Sequence, residues 1–277
     1  MSSAIVNKWL SQLYPERSDR DAVVQFIDRI QCLIRPSMTV LDIGAGAGEL
    51  NQYSFRGKCR EIIGIDMDHR VVDNPLLDRG IVANASTIPL PDRSIDLAFS
   101  IYVLEHIEDP KAFLCEVSRV LKPGGQFWFL TPNKYHYVPI IARLTGTLFH
   151  KWVNKKRGRD EEDTFPTFYR MNSRKDLMKL VGSFKGGGDV RDLSVKRGEV
   201  LSGEDLCVKG DESQGLRGEQ AGCLDIIEMK MVEVCPNYLL WNPIAFWCGV
   251  AYERLVNSTE LLAGLRVNII GGLRGCG

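Results

Sequence analysis

The chain lacks several features that would direct its reading elsewhere. It has no net charge, because 35 Lys and Arg balance 35 Asp and Glu. General nucleic-acid binding usually needs a basic face, so no nucleic-acid partner is expected. The eight cysteines form no C-x-x-C pair. That leaves zinc and dithiol-redox motifs without support, and no metal is expected. Dispersed thiols of this kind read as reduced and intracellular. Residues Met1 to Leu13 show no cationic stretch followed by an apolar core. No secretory leader is read there, and the expected location is cytoplasmic. No apolar run is long and continuous enough to cross a bilayer.

Glycine, in contrast, is concentrated at one informative place. The run Val40-Leu41-Asp42-Ile43-Gly44-Ala45-Gly46-Ala47-Gly48-Glu49-Leu50 joins a buried strand to an acid and three alternating glycines. Glycine turns take positive φ and let backbone N–H groups approach a ligand. A nicotinamide-binding turn would read G-x-G-x-x-G, and a P-loop would end in Gly-Lys-Ser or Gly-Lys-Thr. Neither pattern is present. Asp42, placed ahead of the glycines, would repel a pyrophosphate and suit a cationic cofactor.

The following segments alternate strand and helix. Glu61 to Asp68 reads as a second strand ending in acids, with Asp66 placed to bind a ribose diol. Gly80 to Ala85, Ser94 to Ser100 and Gln126 to Thr131 read as the third, fourth and fifth strands. Asp109-Pro110 caps a helix whose apolar stripe is Phe113, Val117, Val120 and Leu121, and Lys122-Pro123-Gly124-Gly125 stops it. Leu224 to Val232 reads as a sixth strand, and Arg266 to Ile270 as a seventh, antiparallel one. The expectation is an α/β fold with a doubly wound, mostly parallel seven-stranded sheet and inserted helical cap segments.

At this point VLDIGAGAGEL, IIGIDMD, NASTIPLPDRSIDLAFS, YVLEHIEDP and LKPGG together resemble a known family. The chain is similar to class I S-adenosylmethionine-dependent methyltransferases of the small-molecule type over about residues 20 to 132. The resemblance implies a Rossmann-like methyltransferase fold with S-adenosylmethionine as cofactor. It places Gly44, Gly46 and Gly48 under the methionine part and Asp42 near the amino group or sulfonium. Asp66 would hold the ribose, with Met67 on the adenine. Asn84 stands where the family usually has Asp; its amide oxygen can still accept from the adenine amine. Ala85 and Ser100 would line the pocket.

Transfer of a sulfonium methyl is an in-line displacement. Alignment alone can supply up to roughly 7–11 kcal/mol of barrier lowering. A general base is needed only for an acceptor that must lose a proton. His106, in Leu104-Glu105-His106, and His136, just past the fifth strand, are the candidates; both also read as structural histidines. Tyr102, Tyr135 and Tyr137 are expected at the acceptor site or in its packing. The expected reaction is methyl transfer, O-methylation favoured, to a small hydrophobic or amphipathic acceptor, lipid-like or polyketide-like. A cofactor-binding scaffold without activity is the alternative.

The expected organisation is one domain over 1–277. Residues 1–34 form N-terminal helices that either cover the cofactor or pack on the sheet, and 35–132 form the cofactor-binding core. An insertion at 133–172 reads as a substrate lid, with the charged run Lys155 to Asp163 outward. Residues 182–222 show no periodicity and read as irregular or mobile. An apolar insertion at 235–262 reads as a packed cap helix, a dimer contact, or an interfacial helix touching lipid through 238–252. The chain is expected to be a monomer or a homodimer.

Overall fold

The computed structural model describes residues 2–15, 21–48, 54–140, 166–184, 224–236, 239–240 and 242–276. Most of the expected lid and nearly all of 182–222 lie outside these residues, as do Tyr238 and Trp241.

Seven strands form one sheet: β1 (Thr39–Ile43), β2 (Glu61–Asp66), β3 (Arg79–Val82), β4 (Ile95–Ile101), β5 (Leu121–Pro132), β6 (Leu224–Val232) and β7 (Asn268–Gly275). The strand order is β3-β2-β1-β4-β5-β7-β6. Pairing is parallel from β3 through β5, and β7 runs antiparallel to both β5 and β6. The order reverses between β1 and β4. In an open α/β sheet that is where a ligand crevice opens at the carboxyl ends.

The helices among the described residues are α1 (Ser2–Leu13), α2 (Ala22–Leu33), α3 (Pro110–Val120), α4 (Arg174–Phe184) and α5 (Pro243–Asn257). The two faces of the sheet bury separate cores. One joins Leu41, Ile43, Ile65 and Phe129 to Phe113 and Val117 of α3 and Leu177 of α4. The other joins Val40, Ile62, Phe99 and Trp128 to Phe26 and Ile30 of α2. The strands of the central sheet are thus covered on both sides, which is why β1 and β2 read as almost continuous apolar runs.

Local chemistry sets the boundaries. Asp21 caps α2 by accepting from Val23 N–H at 2.8 Å. Asp109 accepts from both Lys111 and Ala112 at 3.0 Å, with Pro110 in the first turn of α3. Ser173 Oγ caps α4 through Asp176 N–H at 3.1 Å. β3 ends at Val82, short of the expected Ala85, because Asn84 opens a turn: its side chain accepts from Ser86 N–H at 2.8 Å. β5 starts five residues earlier than expected, with Leu121 opposite Ile95 before a register shift. β7 extends past Ile270 to Gly275. A Cβ at Gly271 or Gly272 would strike the Phe129 ring or the Trp128 indole, so glycine lets this strand lie across two large rings.

The two N-terminal helices have different fates. α2 packs on the sheet. α1 packs on α5, burying Val6, Leu10 and Tyr14 with Phe246 and Val250. Trp9 stacks on Phe246 at 6.2 Å and meets Trp247 at 5.6 Å. α5 links the end of β6 to the start of β7, so this pair belongs to the carboxyl edge of the sheet.

Candidate active site

The glycine turn leaves β1 at the crossover. Gly44, Gly46 and Gly48 all have positive φ, at 81°, 54° and 74°. An L side chain in this region is strained, and at Gly44 a Cβ would also collide with Val103. The backbone N–H groups here behave differently from the expectation that they face a ligand. Gly44 and Ala45 donate to Ile65 O at 2.8 and 3.2 Å, and Gly46 donates to Asp66 Oδ2 at 2.8 Å. These donors tie the turn to the tip of β2. With these N–H groups engaged the turn is not an anion hole; Gly46 faces open space that a ligand can approach closely, whereas Gly44 and Gly48 make room for Val103 and Asn74.

Asn74 is a second staple, and sequence reasoning missed it. Its amide donates to Ala45 O at 3.0 Å and Gly46 O at 3.1 Å, and its Oδ1 accepts from Leu76 N–H. A Cβ on Gly48 would strike Asn74. The available signal was weak: an Asn before Pro75, read only as a turn former.

Asp42 is the penultimate residue of β1, paired with Gly64 on β2 and Phe99 on β4. Burial, then the charge of Asp66, pushes its carboxyl up to about 7. A carboxylate held this way gains from a cationic ligand. Asp66 Oδ1 accepts from Asp68 N–H at 2.9 Å. With Gly46 on the other oxygen, the carboxylate is fixed, and each oxygen keeps acceptor capacity for a hydroxyl. Met67 follows it, 58% exposed. Asn84 is exposed and Ala85 half-buried beyond β3. Asn84 Oδ1 is engaged by Ser86, so it has less capacity for a base amine than expected from sequence. Ser100 on β4 is fully buried, and its hydroxyl has no hydrogen-bond partner. A buried orphan hydroxyl is costly unless a ligand satisfies it.

The other half of the site lies at the ends of β4 and β5. Tyr102 takes φ 57° directly after β4, and Tyr169 takes φ 52° in the segment packed against it. Left-handed non-glycine residues of this kind cluster at functional rims. The turn Leu104–His106 is clamped by that segment: Phe168 and Tyr169 N–H both donate to Glu105 O, at 2.7 and 3.2 Å. His106 Nδ1 lies 2.9 Å from Pro166 O. A carbonyl can only accept, so Nδ1 carries the proton and Nε2 is the basic nitrogen of the neutral ring.

Beneath it is a buried polar group that sequence reasoning did not single out. Glu105 Oε2 lies 3.2 Å from Thr131 Oγ1, which accepts from Asn172 Nδ2 at 2.6 Å. Burial pushes the Glu105 carboxyl up to about 7. Asn172 Oδ1 is buried without a partner.

The two predicted histidines part company. His106 is half-buried at the rim. His136 is 1% exposed, with its ring 4.1 Å from Tyr137 and 5.5 Å from Tyr252. Its Nδ1 accepts from Val138 N–H at 3.4 Å, and its Nε2 lies 3.8 Å from Glu233 Oε2. Burial lowers the His136 pKa to about 4 and raises Glu233 to about 8. His136 and Tyr137 therefore sit in an aromatic cluster with Tyr252. Tyr135 and Tyr102 are both exposed, at 46% and 39%.

The sheet order, with one antiparallel strand inserted beside β5, and the acid–glycine crossover place the chain in the class I S-adenosylmethionine-dependent methyltransferases. The comparisons agree. The family profile described as a methyltransferase domain matches residues 41–129. A ubiquinone/menaquinone biosynthesis C-methyltransferase of Burkholderia cenocepacia is 35% identical over 184 residues, 61% of this chain and 75% of its own length. A "Probable S-adenosylmethionine-dependent methyltransferase" of Mycolicibacterium smegmatis is 35% identical over 105 residues, 36% of this chain. The chain spans only 40% of that relative's length. It belongs to this enzyme family, and its cofactor is S-adenosylmethionine. The residues present fit that cofactor: open space over Gly46, the Asp42 carboxyl raised by burial, and the orphan Ser100 hydroxyl on the adjacent strand.

Proposed function

We propose that the chain methylates a small apolar or amphipathic acceptor carrying an ionisable hydroxyl, at a ring carbon, over the ends of β4 and β5. The observation that carries this reading is the paired tip structure: His106, with its tautomer set by Pro166 O, stands beside the buried Glu105–Thr131–Asn172 group. When bound, S-adenosylmethionine supplies an electrophilic methyl group. Asp42 counters its positive charge, and Asp66 holds its sugar. His106 Nε2 accepts the acceptor's hydroxyl proton. The resulting oxyanion is nucleophilic at oxygen and at the adjacent ring carbon, so alignment decides which atom is methylated. Attack by carbon would break the sulfur–methyl bond, leave the neutral thioether, and give a dienone that regains its aromatic ring by losing the hydrogen of the methylated carbon as a proton to solvent. The expectation from sequence alone was oxygen. The relatives named as C-methyltransferases in quinone biosynthesis support carbon. Tyr102 and Tyr135 form the rim against which an apolar acceptor lies.

The test is turnover of a panel of hydroxylated aromatic acceptors with methyl-labelled cofactor, followed by assignment of the labelled carbon by NMR. Ring-methylated products support the reading. Products labelled only at oxygen or nitrogen, or turnover restricted to polar acceptors, overturn it.

A further inference from the structure

Helix α5 is apolar on two opposite sides. Its inner side buries Phe246, Gly249, Val250 and Val256. Its outer side exposes Ile244, Trp247, Cys248, Ala251 and Leu255. At about 100° per residue these five fall within an arc of about 100°, and all are apolar. A helix apolar all round is ordinarily covered on every side. Here Ile244 is 76% and Leu255 58% exposed, and Ile5 of α1 is exposed too.

The charges on this helix pair are sorted. α1 carries one charged residue, Lys8, and α5 carries two, Glu253 and Arg254. Glu253 is on the inner side, buried, accepting from Tyr14 OH at 3.0 Å and Asn257 Nδ2 at 2.9 Å. Lys8 is exposed. Arg254 flanks the apolar arc; its Nε lies 3.4 Å from Glu253, yet the side chain remains 56% exposed. In the turn after α5, Glu260 is paired with Arg266 at 2.8 Å. The outer face of α5 is thus apolar and carries Trp247, and beside it α1 exposes Ile5 among the polar residues Asn7, Lys8, Ser11 and Gln12. Among the described residues of the two helices the exposed charges are the cations Lys8 and Arg254.

We propose that this outer face of α1 and α5 docks on an anionic lipid bilayer, with α5 lying in the interface plane. A helix of this length extends only about 22 Å, too short to cross a bilayer. Apolar residues, an aromatic ring and basic flanks are the composition that interfacial helices use. A second copy of the chain would fit less well, since a symmetric contact would bring like charges together, whereas anionic headgroups attract them. The docking stands on this face alone and does not depend on which acceptor is methylated.

The experiment is co-sedimentation of the full chain with phosphatidylcholine vesicles, with and without phosphatidylglycerol, together with Trp fluorescence. The expected result is binding to the anionic vesicles with a blue-shifted emission, weaker on neutral ones. Ile244→Glu with Leu255→Glu, both at exposed positions, should weaken binding on the order of 100-fold while circular dichroism stays unchanged. Lys8→Gln and Arg254→Gln should each cost about fivefold, on anionic vesicles only. Failure of the wild type to sediment with anionic vesicles overturns the proposal. So does equal binding of the Ile244→Glu/Leu255→Glu variant, or a concentration-dependent dimer that this variant abolishes.

Discussion

The two halves of the site are built by different means. Around β1 and β2 a glycine backbone turn is held by a few fixed side chains. Glycine N–H groups close onto Ile65 O and Asp66, and Asn74 grips two turn carbonyls. At the ends of β4 and β5 the site is made of side chains: a carboxyl, a hydroxyl and an amide buried together, with two tyrosines in left-handed backbone above them. The first kind of site suits one unchanging ligand, because positive-φ glycines and their anchors leave little room for substitution. The second can be retuned by single substitutions, which is what the proposed acceptor role would call for.

The largest effect should come from the β4–β5 half, the side proposed for the acceptor. His106→Gln is expected to lower kcat by about 10²–10⁴-fold while leaving the cofactor dissociation constant unchanged. Calorimetry beside steady-state kinetics checks this; a matching loss of cofactor affinity would erase the distinction between the halves. In the cofactor half, Gly44→Ala combines positive-φ strain with a clash against Val103. It should cost about 3 kcal/mol of stability and reduce cofactor affinity, read by denaturant unfolding and calorimetry. A fully stable, cofactor-binding variant would show that this turn is not a rigid cradle.

Thr131→Val leaves Glu105 and Asn172 without their shared partner. It should cost about 2 kcal/mol in denaturant unfolding, with little change in cofactor binding.

The remaining effect concerns pH and belongs to both halves. The carboxyls of Asp42, Glu105 and Glu233 are raised to about 7, 7 and 8, mainly by burial. Folding therefore favours their protonated forms. The associated stability is fully present below the unfolded carboxylate pKa and is lost as pH rises through 7 to 8. Melting temperature without cofactor should fall over that window, and Asp42→Asn should flatten part of the fall. Bound cofactor should oppose it, since the cation favours ionised Asp42. A melting temperature that rises between pH 5 and 8 would refute this account.

Much of the fold was legible in the sequence. Covered strands are continuous apolar runs, and caps are short-range hydrogen bonds, so β1, β2, β4, α2 and α3 could be placed from neighbours in the chain. Errors arose where distant residues decide. β7 runs on through Gly271 and Gly272 because Phe129 and Trp128 lie across from them. The proximity of Asp42 to the glycine turn was legible for the same local reason: acid and turn are adjacent in sequence.

Sequence by itself determined the cofactor class, through the resemblance carried by five motifs in order, each of them a local pattern. Tertiary structure alone decided where the glycine N–H groups point and which histidine stays at the rim. It also decided that Glu105 meets Thr131 and Asn172, and that α1 pairs with α5. Each is settled by burial and by partners far away along the chain, and neither quantity is a property of a residue's neighbours in sequence.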